Sequence, residues 1–598
     1  MNGMDLLRRY EPVVYYTSGE MFYPRAVDGY VARCSLWQLD ERGRAEELVP
    51  EGSLTLESLA GHNQVPAGHV LYLRFVAEPL SPLEFQQWMN RPGRVKFKAP
   101  GRLARVPLLS RIGDAVFDLS LAVRGVVPGG TAAAAEMRMR DVDKHDGRNV
   151  YYGRVLEQGG WIILQYIYFY PMNNWRSGFY GVNDHEADWE QVFVFLHRDG
   201  GGDVQPQWVA YASHDFQGDD LRRRWDDPSL AREGDHPIIF AGAGSHASYF
   251  ERGDYIMGVE PKWITPLKDA FNGLRRFWVE TLKQGENEQF VGQVGAMFSI
   301  PFVDYARGDG VAIGPHKPKS WFPILISEED RWVSQYRGLW GLDTGDRLGG
   351  ERAPAGPMYE RTGAIRKSWY DPLGWAGLDK LFPPSILPAE IDERLVEVDE
   401  KLKQAERVIT LKRERLRVLA LDTESLRAAE HFSGVYELKE AELLKRQTEF
   451  QELVRQQVEL KETRVALLDY RRRIAAGDFG PPAAHVRHAH RPTPPPGHHR
   501  ALEVWAAMSG ALALLAFGYL VIYRPAYWAL LIIIVALIFG FVDSLARGRS
   551  DRYLAGLTVA LAVVNGIFLF LEFWKIALIL PLVFLVILML RDNLRELS

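Results

Sequence analysis

Four carboxylates and a histidine fall within the seven residues Asp184-His185-Glu186-Ala187-Asp188-Trp189-Glu190. The alternating run Gln191-Val192-Phe193-Val194-Phe195-Leu196 follows directly. Successive side chains on a strand point to opposite faces, so Asp188 and Glu190 should share one face and Trp189 should enter a core. Like charges held that close repel unless something positive lies between them. A divalent cation would serve, and a hard one such as Ca²⁺ or Mg²⁺ suits carboxylate oxygens better than Zn²⁺ does. The bland alternative is a solvated acidic turn ahead of a strand.

Two further segments carry imidazoles in matching context. Strand candidates at 208–212 and 238–241 run into Ala212-Ser213-His214-Asp215 and Gly244-Ser245-His246-Ala247. Two Ser-His pairs after strands, near an acidic cluster, suggest imidazoles converging on one site. Histidine is a frequent metal ligand and the natural general base near neutral pH, which makes His246 and His214 the candidate catalytic bases. The alternative is that each is a capped structural residue. Neither serine lies in a Gly-x-Ser-x-Gly elbow. The chain carries no Walker A loop, no His-Glu-x-x-His helix and no dinucleotide fingerprint. A second acidic cluster, Asp141 to Gly147, reads as a solvated loop. The apolar run at 161–170 reads as a buried strand ending at Pro171.

The elements that must position these residues belong to one of four blocks. The chain has 598 residues and a net charge of −5, which argues against a general nucleic-acid binder. Cys34 is the single cysteine, so no intrachain disulfide forms. Residues 1–16 show no apolar run of signal-peptide type, so the bulk of the protein is expected on the side where it is made. Residues 1–385 are aromatic-rich and punctuated by Gly and Pro, as a mainly β, sandwich-like globular region would be. Residues 260–385 are placed as an extension of that fold.

Residues 389–475 are nearly free of Gly and Pro. Leu395, Val398, Leu402, Ala405, Ile409, Leu416, Leu419 and Leu426 fall on alternating steps of three and four, with Lys412 and Thr423 at the two weak positions, a coiled-coil pattern. The pattern lapses at Phe432-Ser433-Gly434, and a second helix follows over 436–474. The pair is either a helical hairpin or an oligomeric stalk, a spacer that could also bind a protein partner. Residues 476–500 form a Pro/His-rich linker. Residues 501–598 are mostly apolar and predict four membrane helices at 503–523, 526–545, 553–573 and 574–590. Arginines concentrate before the first, in the second connection and at the tail. The positive-inside rule then places both termini and the globular region in the cytoplasm of a multi-pass protein. The block reads as an anchor.

Three stretches carry a resemblance. Arg9-Tyr10-Glu11-Pro12-Val13-Val14-Tyr15-Tyr16 through Phe22-Tyr23-Pro24 resembles the opening of the vacuolar protein sorting-associated protein 62 family. Asp184 to Glu190 and Gly244-Ser245-His246-Ala247-Ser248-Tyr249 resemble its later signatures. That family's name implies a trafficking role rather than a reaction. The same region is more distantly similar to the necrosis- and ethylene-inducing peptide-like proteins, β-sandwich cytolysins with the signature Gly-His-Arg-His-Asp-Trp-Glu. That resemblance implies His185, Asp188 and Glu190 as ligands of a divalent cation, with Asp184 substituting for an upstream Asp that has no match here. The family's second His is Ala187.

The expectation is therefore a membrane-anchored, cation-binding β module, facing the cytoplasm. It would recognise a polar ligand such as a lipid head group or glycan, in a trafficking or envelope role. One alternative is a metal-dependent hydrolase with a cation at Asp188/Glu190 and His246 or His214 as base. The other is a membrane-damaging cytolysin-like protein, which the permanent membrane helices disfavour.

Overall fold

The structure, a computed structural model, describes residues 2–95, 97, 102–124, 130–175, 184–213, 218–259, 300–342, 353–427, 430–486, 491–493 and 500–595. Sixteen strands are described: β1 Val13–Tyr15, β2 Ser35–Leu39, β3 Ala45–Val49, β4 Val70–Arg74, β5 Asn149–Gln158, β6 Trp161–Asn173, β7 His185–Arg198 and β8 Val204–Tyr211. There follow β9 Arg222–Arg224, β10 Arg232–Glu233, β11 His236–Ala241, β12 Ser248–Tyr249, β13 Gly253–Val259, β14 Ile300–Ala306, β15 Ala312–Ile313 and β16 Trp321–Leu325.

The largest sheet has the order β16-β5-β6-β7-β8-β9. It is antiparallel except for the β16–β5 pair. Every residue of β6 is buried, so its run of Ile, Leu, Phe and Tyr has apolar neighbours on both faces. On one face, Leu164, Tyr166, Tyr168 and Tyr170 share a core with Val14, Ile239 and Ile313 of a second sheet, order β10-β11-β1-β15 with β12 on β11. On the other face, Ile167 and Phe169 pack with β2 and β4 of a three-stranded sheet and with helix α3. The labelled helices of the N-terminal part are α1 (Gly3–Tyr10), α2 (Leu108–Arg124) and α3 (Gly130–His145).

Beyond residue 299 the chain returns to all of these layers. β14 pairs with β13, β15 joins β1, and β16 closes the edge of the large sheet. The acidic run from Asp141 is not a loop: it forms the last turn of α3. There Asp143 binds the Arg25 guanidinium at 2.6 and 3.0 Å.

Two long helices follow, α4 (Leu387–Arg427) and α5 (Ser433–Ala475). They lie antiparallel, with ion pairs Arg471–Asp392, Arg464–Asp399 and Lys412–Glu449 running from base to tip. Val398, Leu402 and Ile409 are buried in the seam between them.

The apolar tail forms α6 (Arg500–Tyr523), α7 (Trp528–Ala546) and α8 (Ser550–Arg595). Among the described residues, three segments are long and apolar enough to cross a membrane: Arg500–Tyr523, Pro525–Ala546 and Leu571–Arg595. The four-helix expectation differs here. The break placed near Glu572 and Lys575 does not occur, and α8 is one helix through Pro581. Charged side chains suggest a turn to a hydropathy reading, but Glu and Lys are good helix formers and break nothing.

Candidate functional site

The acidic run lies where β6 and β7 end together. Tyr170 is paired with Asp188, Phe169 with Trp189 and Tyr168 with Glu190. Trp189 packs on Phe169 and Trp340, with ring centroids at 4.8 and 5.1 Å, on the opposite face from Asp188.

One backbone feature separates the acids. Ala187 has φ +60°, a conformation uncommon for a residue with a Cβ. Strict alternation would put Glu186 and Asp188 on one face. Instead the Glu186 carboxylate accepts the backbone N–H groups of Phe75, Val76 and Leu342 at 3.0, 2.7 and 3.1 Å. Burial pushes its pKa up, and those three donors act against the rise.

Asp188 turns the other way and meets His246. Its Oδ2 accepts from His246 Nδ1 at 2.8 Å and from Asn173 Nδ2 at 3.1 Å. On the far side of the imidazole, Glu20 Oε1 lies 3.6 Å from Nε2. Glu20 is itself fixed by the N–H groups of Met21, Phe22 and Gly244. The imidazole stacks on Tyr170, 3.8 Å away and tilted by 6°. Burial pulls the His246 pKa down, but its contacts with Asp188 and Glu20 outweigh that and raise it to about 9. His246 is therefore an imidazolium at neutral pH, with its side chain fully enclosed.

The turn that presents His246 tolerates few residues. His246 has φ +59°, and Gly244 has φ +75°. A Cβ on Gly244 would lie 2.1 Å from the Asn174 carbonyl oxygen, so only glycine fits. The neighbouring Ser245 donates to Asp304 of β14, which also accepts from the Tyr249 hydroxyl at 2.7 Å. Two buried polar atoms at the site make no hydrogen bond: His246 Nε2 and Asn174 Oδ1.

The structure thus unites Asp188 with His246, and Glu190 shares the electrostatic field of Arg366 with Asp188. Asp184 is half-buried ahead of β7. His185 holds the Ala187 carbonyl through Nδ1 at 2.7 Å. Glu190 is buried near Tyr170 and Arg366. His214 lies outside the described residues. Among the described residues no three His, Cys, Asp or Glu side chains converge as a metal-binding group. Positive charge reaches the acids from the chain itself, through His246 and through Arg366. Burial lowers the Arg366 pKa, while the carboxylates of Glu360, Glu190 and Asp188 oppose that.

Residue reading missed Glu20, Asn173, Asp304 and Arg366, which come from four distant parts of the chain. Glu20 had a signal, since it sits inside the aromatic opening run between Tyr16 and Phe22.

The family model described as Necrosis inducing protein (NPP1) matches residues 122–247. That segment is similar to the family over β5–β8 and β11, and includes Asp188 and His246. Glu20, Asp304 and Arg366 lie outside it. No curated protein and no solved structure matches the chain.

Proposed function

We propose that the protein is a membrane-anchored binding module, not a hydrolase, whose β region recognises a polyhydroxylated ligand: a glycan or a sugar-bearing lipid head group. One observation carries the reading. At the ends of β6, β7 and β11 lies a buried polar cluster in which Asn174 Oδ1 has no hydrogen-bond partner and His246 Nε2 meets Glu20 only at 3.6 Å, longer than a hydrogen bond. Buried polar groups are nearly always satisfied, and exceptions concentrate at functional sites. Carboxylates accept from hydroxyl groups, and Tyr16, Tyr23 and Tyr170 supply aromatic surface beside them.

The hydrolase reading needs His246 or His214 as a base, and His214 lies outside the described residues. An imidazolium with its pKa raised to about 9 has no lone pair to offer at neutral pH. The trafficking role follows from the resemblance to the vacuolar protein sorting-associated protein 62 family and belongs to the same proposal. So do the cytoplasmic orientation and the service of the α4–α5 pair as a coiled-coil spacer.

The test is a glycan array probed with the full-length protein in detergent. Binding to a defined subset is expected, and Glu20→Gln with Asp188→Asn should abolish it while unfolding stays cooperative. Wild-type protein that binds no glycan and shows no thermal shift with inositol or mannose would contradict the reading.

A further inference from the structure

Helix α2 belongs to the globular region by sequence, yet it packs along α6 of the apolar tail. The contact is specific. Arg111, with 1% of its surface exposed, donates to Ser509 Oγ of α6 at 2.6 Å and to Asp543 of α7. Asp543 also accepts from Trp505 at 3.1 Å and from Arg547 at 2.9 Å. Arg547 reaches back to the Val106 carbonyl oxygen at 2.8 Å. The backbones approach closely as well, since a Cβ on Gly510 would lie 2.4 Å from the Arg111 carbonyl oxygen.

Asp543 lies near one end of a candidate span. A carboxylate there is costly in lipid unless it is paired and hydrogen-bonded, and Arg111 helps to do both. Among the described side chains of α2, those on the opposite side are exposed. Ser110, Arg111 and Asp114 are buried, whereas Leu109 and Val116, seven residues apart on one face, are 43% and 44% exposed. An exposed apolar face beside membrane helices is the pattern of a helix lying in the interface plane.

The same end of the bundle is basic. Arg500, Arg549 and Arg552 are exposed there. Arg105 stands within electrostatic reach of Glu503 at the start of α6. Arginines beside a membrane helix attract anionic head groups.

We infer that α2 is an interfacial membrane helix: its polar side is locked to α6 and α7 through Arg111 and Asp543, and its Leu109/Val116 side enters a lipid surface whose anionic head groups are taken by Arg500, Arg549 and Arg552. This surface is separate from the ligand site proposed above. It also sets the β region against the membrane, because α2 packs on β14, the strand that carries Asp304.

The test uses full-length protein with Leu109→Cys, labelled with an environment-sensitive dye and reconstituted into phosphatidylcholine vesicles with or without phosphatidylserine. Cys34 is fully buried, so the label is selective. Leu438→Cys on α5, 74% exposed, is the aqueous reference. The dye at 109 should be quenched by lipid-borne quencher and shielded from iodide, with the reference reversed. Phosphatidylserine should deepen that shielding, and Arg500→Gln/Arg549→Gln/Arg552→Gln should remove its effect. Iodide access at 109 equal to that at 438 would overturn the interfacial helix. Identical shielding with and without phosphatidylserine would overturn the head-group assignment. Val116→Cys reads the same face if Leu109→Cys does not fold. None of these readouts depends on whether the His246 site binds a glycan.

Discussion

Two buried ion clusters hold this molecule together, and they are built in opposite ways. Around His246, two carboxylates, Asp188 and Glu20, enclose one titratable cation. Around Asp543, two guanidinium groups, Arg111 and Arg547, enclose one carboxylate. The first can lose its charge as pH climbs through about 9, because the imidazolium gives up its proton there. The second cannot, because arginine stays charged. In the first, Arg366 adds an electrostatic attraction to Asp188 beside the His246 hydrogen bond. The second keeps Arg547 and Trp505 if Arg111 is lost. A site that must respond and a joint that must hold therefore use the same ingredients in reversed numbers.

The sharpest way to break this comparison is Asp188→Ala. It removes the only hydrogen-bonding carboxylate at His246 Nδ1 and leaves a buried charge under-compensated, at a cost of about 3–5 kcal/mol. Urea unfolding of the full-length protein in detergent would measure it. A loss no larger than that of Arg111→Ala would erase the distinction between the two clusters.

Next in size is pH. The folded pKa of His246 is raised to about 9, above the ordinary value of 6.5. The stability it contributes is complete below 6.5 and is lost as pH climbs through 9, about 3 kcal/mol in all. Unfolding measured across that window should show the decline in wild type and a flatter profile in His246→Gln.

Arg111→Ala should cost less, about 1–3 kcal/mol, since Asp543 keeps two donors. Its effect should not vary between pH 6 and 9, which a melting series would check. Smallest is Asp392→Asn at the base of the α4–α5 pair. Both partners of that ion pair are about half exposed, and no measurable change in melting temperature is expected.

The sequence announced some of this and hid the rest for definite reasons. The alternation of Gln191 to Leu196 marks a strand, and β7 is there. The Gly244-Ser245-His246 signature marks a turn that must hold an imidazole near the acids, and His246 does meet Asp188. The split between Glu186 and Asp188 was illegible, because it depends on the positive φ of Ala187, a residue type that does not advertise one. Glu20 left only its place in the aromatic opening run as a signal and Arg366 left none, because both reach the site from far away in sequence and pairing of that kind leaves no periodic trace. The Arg111–Asp543 joint was hidden for the same reason, its members lying 432 positions apart. Within the apolar tail, hydropathy placed candidate spans at 503–523 and 526–545, where helices long and apolar enough to cross a membrane occur at 500–523 and 525–546, but it inferred a break in α8 from charges that a helix accommodates.

The most direct test of the central claim is the titration of His246 itself. Selective imidazole labelling of the full-length protein, with His246→Gln for assignment, gives its pKa by NMR. The account requires an imidazolium held between Asp188 and Glu20, titrating near 9 and unmoved by chelator. A pKa below 6.5 that shifts when divalent cation is removed would contradict it, and would put a cation where the imidazolium proton now stands.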